Sequence, residues 1–440
     1  MSSHSDYPSH IPLRTAAAPG TALVLGLVLA VIGAAAFFLS PDERAWSAFH
    51  FNWMFWSSVA IGMVMFAVAL HLTNARWAWS IKRVPLGGIA FLPVSVVLFI
   101  PMMLGGKHVY FHHWLPHGGH DPVAADPILH EKAAWLSFPG MMIRDVVALL
   151  VLYGLAFAFA RHQLRADVHG IDRAGRRSFA YGWLKGRPGA SIEQIAGESQ
   201  NRGLFIGVIL ALAFAVFWGL IAIDVGMTTL PHFFSTMFPV AFFISAFHSA
   251  LAMTALLVVL YRKPLRLQEY VTERQFHDLG KLVFAFSVFW MYINWSQYVV
   301  IWYGLLPQEQ NYFVLKFHRP FAPLVLAAVM MIFVLPFFGL LARSVKKVPG
   351  ILAGFAVIIL LGHWLERFLI ATPNYWMAEE WGTIGIGLPE VGVALGFLGL
   401  FTICYTWYAA TFPALPSPVS LAAQGSQTVE VAGNPKIATI

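Results

Sequence analysis

Cysteine is almost missing: the 440-residue chain has one, Cys404. A single thiol excludes a disulfide framework, a four-cysteine iron–sulfur cluster and a CxxCH haem attachment within this chain. Any redox metal the protein works with therefore belongs to a partner. Charge is scarce as well, 11% of residues against 58% apolar, which excludes a soluble enzyme of this length and fits a polytopic membrane protein. Acids are the scarcer sign, 21 Asp and Glu against 28 Lys and Arg, for a net charge of +7. In a soluble domain that excess would point to nucleic acid. Here the basic residues lie in short connections between apolar runs, where they report orientation and no nucleic-acid partner is expected.

The runs long enough to cross ~30 Å at ~1.5 Å per residue lie at about 19–39, 52–72, 87–105, 140–160, 203–223, 238–261, 280–303, 321–342, 351–371 and 389–412. The fold class expected is an all-α polytopic membrane protein of about ten helices. The fourth run carries Arg144 and Asp145 in its first turns. The even connections hold Arg76, Lys82 and Arg83, then eight Lys/Arg from Arg161 to Arg202, then Arg262, Lys263, Arg266, Arg274 and Lys281, then Arg343, Lys346 and Lys347. These are 19 of the 28 basic residues, so the positive-inside rule places both termini in the cytoplasm, with the 107–135 and 304–320 connections outside. The organisation expected is a retained tail at 1–18, a membrane domain at 19–412 and an extended or disordered cytoplasmic tail at 413–440. Runs 52–223 and 238–371 form a plausible repeat of two four-helix bundles, in which Asp224 would correspond to Glu366.

Ionisable groups inside such runs cost at least ~2.5 kcal/mol each at mid-bilayer, so those present face protein. In GHWLERFLIATP, His363, Glu366 and Arg367 follow i, i+3, i+4 spacing and share a helix face, with His363 ~18 Å and Glu366 ~22 Å along the helix from Ile351. They make either a packing cluster or a quinone pocket or proton relay. On the seventh helix Asn294, Gln297 and Tyr298 share a face and Ser296 neighbours it, a set that serves helix packing or hydrogen-bonds a quinone carbonyl or a water chain. Trp302, Tyr303 and Tyr312 read as an interfacial aromatic belt. His248 lies near mid-depth on the sixth helix, and depth pairs it with neither His71 nor His363, so no facing pair of axial haem ligands stands out. Asp224, Glu390 and the Arg144–Asp145 pair fall toward outer helix ends, where they pass protons or sit solvated. The loop histidines His108, His112, His113, His117 and His120 lack regular ligand spacing and suit a docking surface better than a metal site.

WSQYVVIWYGLLPQE, GHWLERFLIATP and IGIGLPEVGVALGFLGLF, taken with ten helices and cytoplasmic termini, resemble the ActF-type membrane subunit of alternative complex III, in the polysulfide-reductase NrfD-like family. The resemblance covers most of the spans and is strongest from the seventh helix onward. It implies a bacterial cytoplasmic-membrane complex that oxidises quinol and passes electrons to a cytochrome c or a terminal oxidase. The partners it implies are an NrfD-like paralogue, an iron–sulfur protein, and multihaem and monohaem cytochromes c, which carry the haem c and the clusters. This chain would then contribute a proton path, a quinone site or a structural anchor, with the paralogue the better candidate for the quinol site beside the iron–sulfur protein. Two departures stand out: Gln308 precedes Glu309 where the family has two acids, and Glu366 stands where it tends to have Asp. A secondary transporter is the alternative from another class, although Pro93 and Pro101 have no inverted counterparts of the kind broken transporter helices show. A purely structural membrane scaffold is the third.

Overall fold

The computed structural model describes residues 20–173, 179–184, 190–375 and 386–425. The expected tail at 1–18, part of the 161–202 connection and everything after 425 lie outside the described residues. The long helices are α1 (Gly20–Leu39), α2 (Asp42–Leu72), α3 (Arg83–Tyr110), α4 (Phe138–Val168), α5 (Ile192–Thr229), α6 (Met237–Arg262) and α7 (Glu273–Gly304). A short helix α8 (Pro307–Phe317) precedes α9 (Ala322–Gly339), α10 (Pro349–Asn374), α11 (Leu388–Thr411) and the short α12 (Pro418–Gly425). Among the described residues nine are long and apolar enough to cross a membrane. The tenth, α7, is 32 residues long, and its Asn294, Gln297, tyrosines and tryptophans leave it less apolar than the others. The chain is an all-α polytopic membrane protein, and its only β feature among the described residues is an isolated bridge between His117 and His120.

Helix ends follow local chemistry. Capping boxes open α5 (Ser191 with Gln194) and α7 (Thr272 with Gln275), satisfying N–H groups that the first turn leaves free. Leu305, at φ 54°, closes α7 in the left-handed conformation, and Pro307 starts α8 at a position where a missing N–H costs nothing. Several helices outrun their apolar cores: α2 begins at Asp42, ten residues before its predicted start, and α5 runs on to Thr229 through two π-helical segments, Phe214–Trp218 and Ala222–Gly226.

α2 is apolar on every face and almost wholly buried, the pattern of a central helix. It packs on α3, α5, α6, α10 and α11. Where α2 meets α6, Gly62 lies against the Ala246 carbonyl so closely that a Cβ would come within 2.4 Å of it. Helices α2 to α5 gather on one side of this contact and α6, α7, α9 and α10 on the other, with the α1–α11 pair on the flank. That pair is joined through Gly33 and Gly396, small residues that let backbones touch where lipid offers no hydrophobic drive. The two ends of the bundle are called here the histidine end, with the 107–135 connection, and the basic end. The chain from Pro413 to Gly425 departs from the extended tail expected: Pro418–Gly425 is helical and packs on α4 and α5. Asp167 holds it, accepting from Ser417 N at 2.8 Å and Ser420 Oγ at 2.6 Å while its other oxygen pairs with Arg83 at 2.5 Å.

Candidate functional site

Glu366 and His363 project from α10 toward α6 and α7. Glu366 Oε1 accepts from Trp290 Nε1 and from Ser245 Oγ, each at 2.8 Å, and Oε2 meets His363 Nδ1 at 2.8 Å. The other nitrogen of His363 lies 2.9 Å from His248 Nδ1, and His248 Nε2 lies 3.2 Å from Ser287 Oγ, which is itself 3.2 Å from the Val283 carbonyl. His248, Ser287 and His363 are buried. The four side chains form one unbroken line of hydrogen-bonding atoms from α10 across α6 to α7.

This line has two self-consistent directions. With Glu366 ionised, His363 Nδ1–H donates to it, His248 Nδ1–H donates to His363, and the Ser287 hydroxyl donates to His248. With Glu366 protonated, its O–H donates to His363 Nδ1, each following bond reverses, and Ser287 donates to the Val283 carbonyl. Each state satisfies every member, because a neutral imidazole is donor on one nitrogen and acceptor on the other.

The structure corrects the placement of the histidines. His248 and His363 face each other at hydrogen-bonding distance, which leaves no room for an iron between them and makes them relay neighbours. Arg367 does not bond Glu366. It lies over the Phe242 ring, 3.6 Å from the centroid, and donates to the Phe242 carbonyl at 3.2 Å.

Glu366 also borders a cavity of about 430 Å³ between α6, α7, α8, α9 and α10. Its walls are mainly aromatic and aliphatic, with Asn294, Gln297 and Tyr298 from α7 and Tyr312 and Lys316 from α8. Gln297 is 4% exposed and its Nε2 has no hydrogen-bond partner. Asn294 spends its amide on the Trp290 carbonyl at 3.0 Å. Ser296, grouped with these residues in the sequence, does not join them: it bonds back to the Tyr292 carbonyl, outside the cavity lining. Trp302 and Tyr303 are exposed as a belt requires, but Tyr312 is buried, stacked on Phe233 with centroids 4.0 Å apart. Lys316 sets its ammonium 3.1 Å from the centre of the Tyr312 ring. Burial pushes its pKa well below the ordinary lysine value, and the Glu366 carboxylate works against that.

The other acids separate into two places. Asp224, expected near a solvated helix end, is fully buried. It accepts from Arg144 Nε at 2.6 Å, Arg144 Nη2 at 2.9 Å and Trp135 Nε1 at 2.8 Å, with buried Asp145 beside it. Glu390 is remote from this group: Arg44 grips it at 2.7 and 3.0 Å, joining the start of α2 to α11. In the histidine loop, His108 pairs with Asp42 at 2.9 Å and His113 meets the Asn374 carbonyl at 2.9 Å. Among the described residues no three His, Cys, Asp or Glu side chains are placed to hold a metal ion.

Ser245, Trp290, Ser287 and Lys316 were absent from the sequence candidates. The first three had a faint signal: Ser245 precedes His248 by three, Ser287 precedes Trp290 by three and Asn294 follows it by four, all same-face spacings. Lys316 had none, because a lone lysine on a surface helix ordinarily faces water. Fold and site define an integral membrane protein with a buried acid–histidine line opening on an apolar cavity. Compared with protein-family models and with curated proteins, the chain matches none.

Proposed function

We propose that this chain is the membrane subunit of a respiratory quinol-oxidising complex of the alternative complex III type, in which the Glu366 cavity receives a quinone-type ring and the Glu366–His363–His248–Ser287 line exchanges its protons. The observation that carries the reading is the unbroken hydrogen-bonded line beginning at a cavity wall. A packing cluster needs satisfied polar groups, but it does not need two interchangeable bond directions or a mouth at a cavity large enough for a drug-sized ring. The cavity fits the substrate class in size, in its aromatic walls, and in the unpartnered donor of Gln297. A quinol supplies two protons and two electrons. Haem c and iron–sulfur partner subunits take the electrons, and Glu366 is the first proton acceptor. The histidine end then faces outward, as the charge distribution of the connections suggests, in a bacterial cytoplasmic membrane.

The test is Glu366→Gln in the assembled complex. The new amide keeps an oxygen for Trp290 and Ser245 and donates permanently to His363 Nδ1, so the line is held in one direction with its bonds intact. Quinol turnover and proton release per assembled complex are expected to fall about a hundredfold, within the usual range for a lost acid–base group. Wild-type turnover and proton release in the assembled variant would show that the cluster serves packing alone.

A further inference from the structure

α8 is a short helix lying across the histidine end of the cavity, in contact with α7, α9 and residues 372–374. Of its polar residues Asn311 is exposed and Gln308, Glu309 and Gln310 are half-buried, while Tyr312 and Lys316 are buried. Lys316 turns inward, is 7% exposed and lines the cavity. Its ammonium rests on the Tyr312 ring, and no oxygen among the described residues accepts a hydrogen bond from it. An aromatic face recompenses part of the desolvation of a cation but leaves its N–H groups unused. A lysine at a helix surface escapes that cost by extending its four-carbon stem to water, and this one does not. Gln297, across the cavity on α7, has a buried amide nitrogen with no acceptor. Two unpartnered donors facing one apolar cavity specify what is missing, an acceptor oxygen on the occupant.

We infer that Lys316 is a ligand-binding residue of this cavity, its ammonium holding a ring oxygen of the occupant while Gln297 donates from the α7 wall. The inference rests on the reading of the cavity as a ring-carrier site and adds how that site selects its ligand. An ammonium favours an oxygen that bears negative charge over a neutral one, so Lys316 binds most strongly the form whose proton has passed to Glu366. The transfer is balanced: the O–H bond of the ring oxygen beside Lys316 breaks, its proton forms a new O–H bond on the Glu366 carboxylate, and the bonding pair stays on that ring oxygen as the negative charge Lys316 holds. The ionisable groups around Lys316 are Tyr312 on its own helix, Glu366 on α10 and, on the α7 wall of the same cavity, Tyr298; Arg367 on α10 acts on Tyr312. Burial keeps the Tyr312 phenol protonated beyond its ordinary range.

The experiment uses the full-length protein in nanodiscs and an azido-substituted short-chain ubiquinone as photolabel, competed by decylubiquinone, with labelled peptides located by mass spectrometry. Competed label is expected in the peptides around Trp290–Tyr298 and Tyr312–Phe317. Lys316→Gln is expected to raise the half-competing concentration about tenfold, the effect of one charge-assisted hydrogen bond, and Lys316→Arg to stay close to wild type. Wild-type affinity should weaken as pH rises through the lowered lysine value. In Lys316→Arg that response should vanish, because the guanidinium does not deprotonate; Glu366 and Tyr312 are unchanged there. Wild-type competition and pH response in Lys316→Gln would overturn the role of Lys316 while leaving the cavity as a ring site. Absence of competed label in the wild type would overturn both.

Discussion

Breaking the Arg144–Asp224 pair should cost far more than replacing it whole. The Asp224 carboxylate is fully buried and holds three hydrogen bonds, two of them from a guanidinium whose side chain is 22% exposed. Arg144 also lies over the Trp135 ring at 4.0 Å, so it ties the end of the histidine loop to α4 and α5. Arg144→Met keeps much of the stem's packing but leaves two neighbouring buried carboxyl groups without a cation. Removing one partner of a buried pair costs about 3–5 kcal/mol, and partial exposure of the arginine argues for about 3 here. Asp224→Asn should cost less, about 1–2 kcal/mol, since the partly exposed guanidinium still has the Trp135 carbonyl and water and the amide still accepts from Trp135. The double variant should resemble Asp224→Asn alone, giving a coupling about as large as the Arg144→Met cost, about 3 kcal/mol, of the kind seen between directly paired residues. The assay is denaturation of the full-length protein in mixed micelles, run on the four variants of the cycle. Additive effects, with coupling below about 0.5 kcal/mol, would refute the claim that Arg144 acts through Asp224.

Gly33→Val should loosen α1 from α11, because even a Cβ at Gly33 would come 2.2 Å from the Gly396 Cα; disulfide trapping between the two helices should lose efficiency, and unchanged trapping would refute the close contact. The Asp126–His232 bond (2.7 Å) holds the Asp126 carboxyl below its ordinary range, first through that bond and then through the Ile128 amide. A depressed carboxyl stabilises above its unfolded value and loses that contribution as pH falls through the folded one. Hydrogen exchange in Pro122–Glu131 should therefore rise on acidification below the ordinary aspartate range, and Asp126→Asn should abolish that rise; an identical response in the variant would refute it. Asp167→Asn should raise exchange across Pro418–Gly425, because Ser417 and Ser420 lose their shared anionic acceptor; unaltered protection would mean the helix is held by its apolar contacts alone.

The ten helices were legible because each needs ~20 apolar residues in sequence, a one-dimensional requirement. Their ends were not. Asp42–Phe51 and Glu273–Gly280 are helical without an unbroken apolar run, the first held by packing and the second also by the Thr272–Gln275 capping box. The face shared by His363 and Glu366 was also legible from spacing. Its pairing with His248 was hidden because depth was counted along single runs. His248 lies eleven residues from the start of α6 at the histidine end, and His363 eleven residues before Asn374 at the same end, which puts both at about 17 Å. Asp224 looked like a helix-end acid because its apolar run stops there. The helix continues past it, and Trp135 from a loop and Arg144 from another helix cover it. Contacts between elements so distant in sequence leave no local trace.

The relay has one open end, and that limits what it does in this conformation. Glu366 opens on the cavity, but beyond Ser287 toward the basic end α7 presents Val283, Leu279 and Phe276, all buried and apolar, and the Val283 carbonyl is tied into the helix. The two bond directions differ by one proton, which the line takes up as Glu366 becomes neutral and gives back as it ionises; Ser287 is a neutral hydroxyl in both, and nothing is delivered to the basic end. A line of this form lets Glu366 change charge in a buried place without leaving any partner unsatisfied, which is the costly part of holding a proton inside a protein. Net transfer across the bundle then requires a second conformation that wets Ser287 from the basic side. Ser287→Val separates the two roles: charge exchange at the cavity should persist with Glu366 and both histidines in place, while transmembrane proton movement in reconstituted vesicles should stop. If the variant moved protons across the membrane at the wild-type rate, the route would have to leave the line before Ser287.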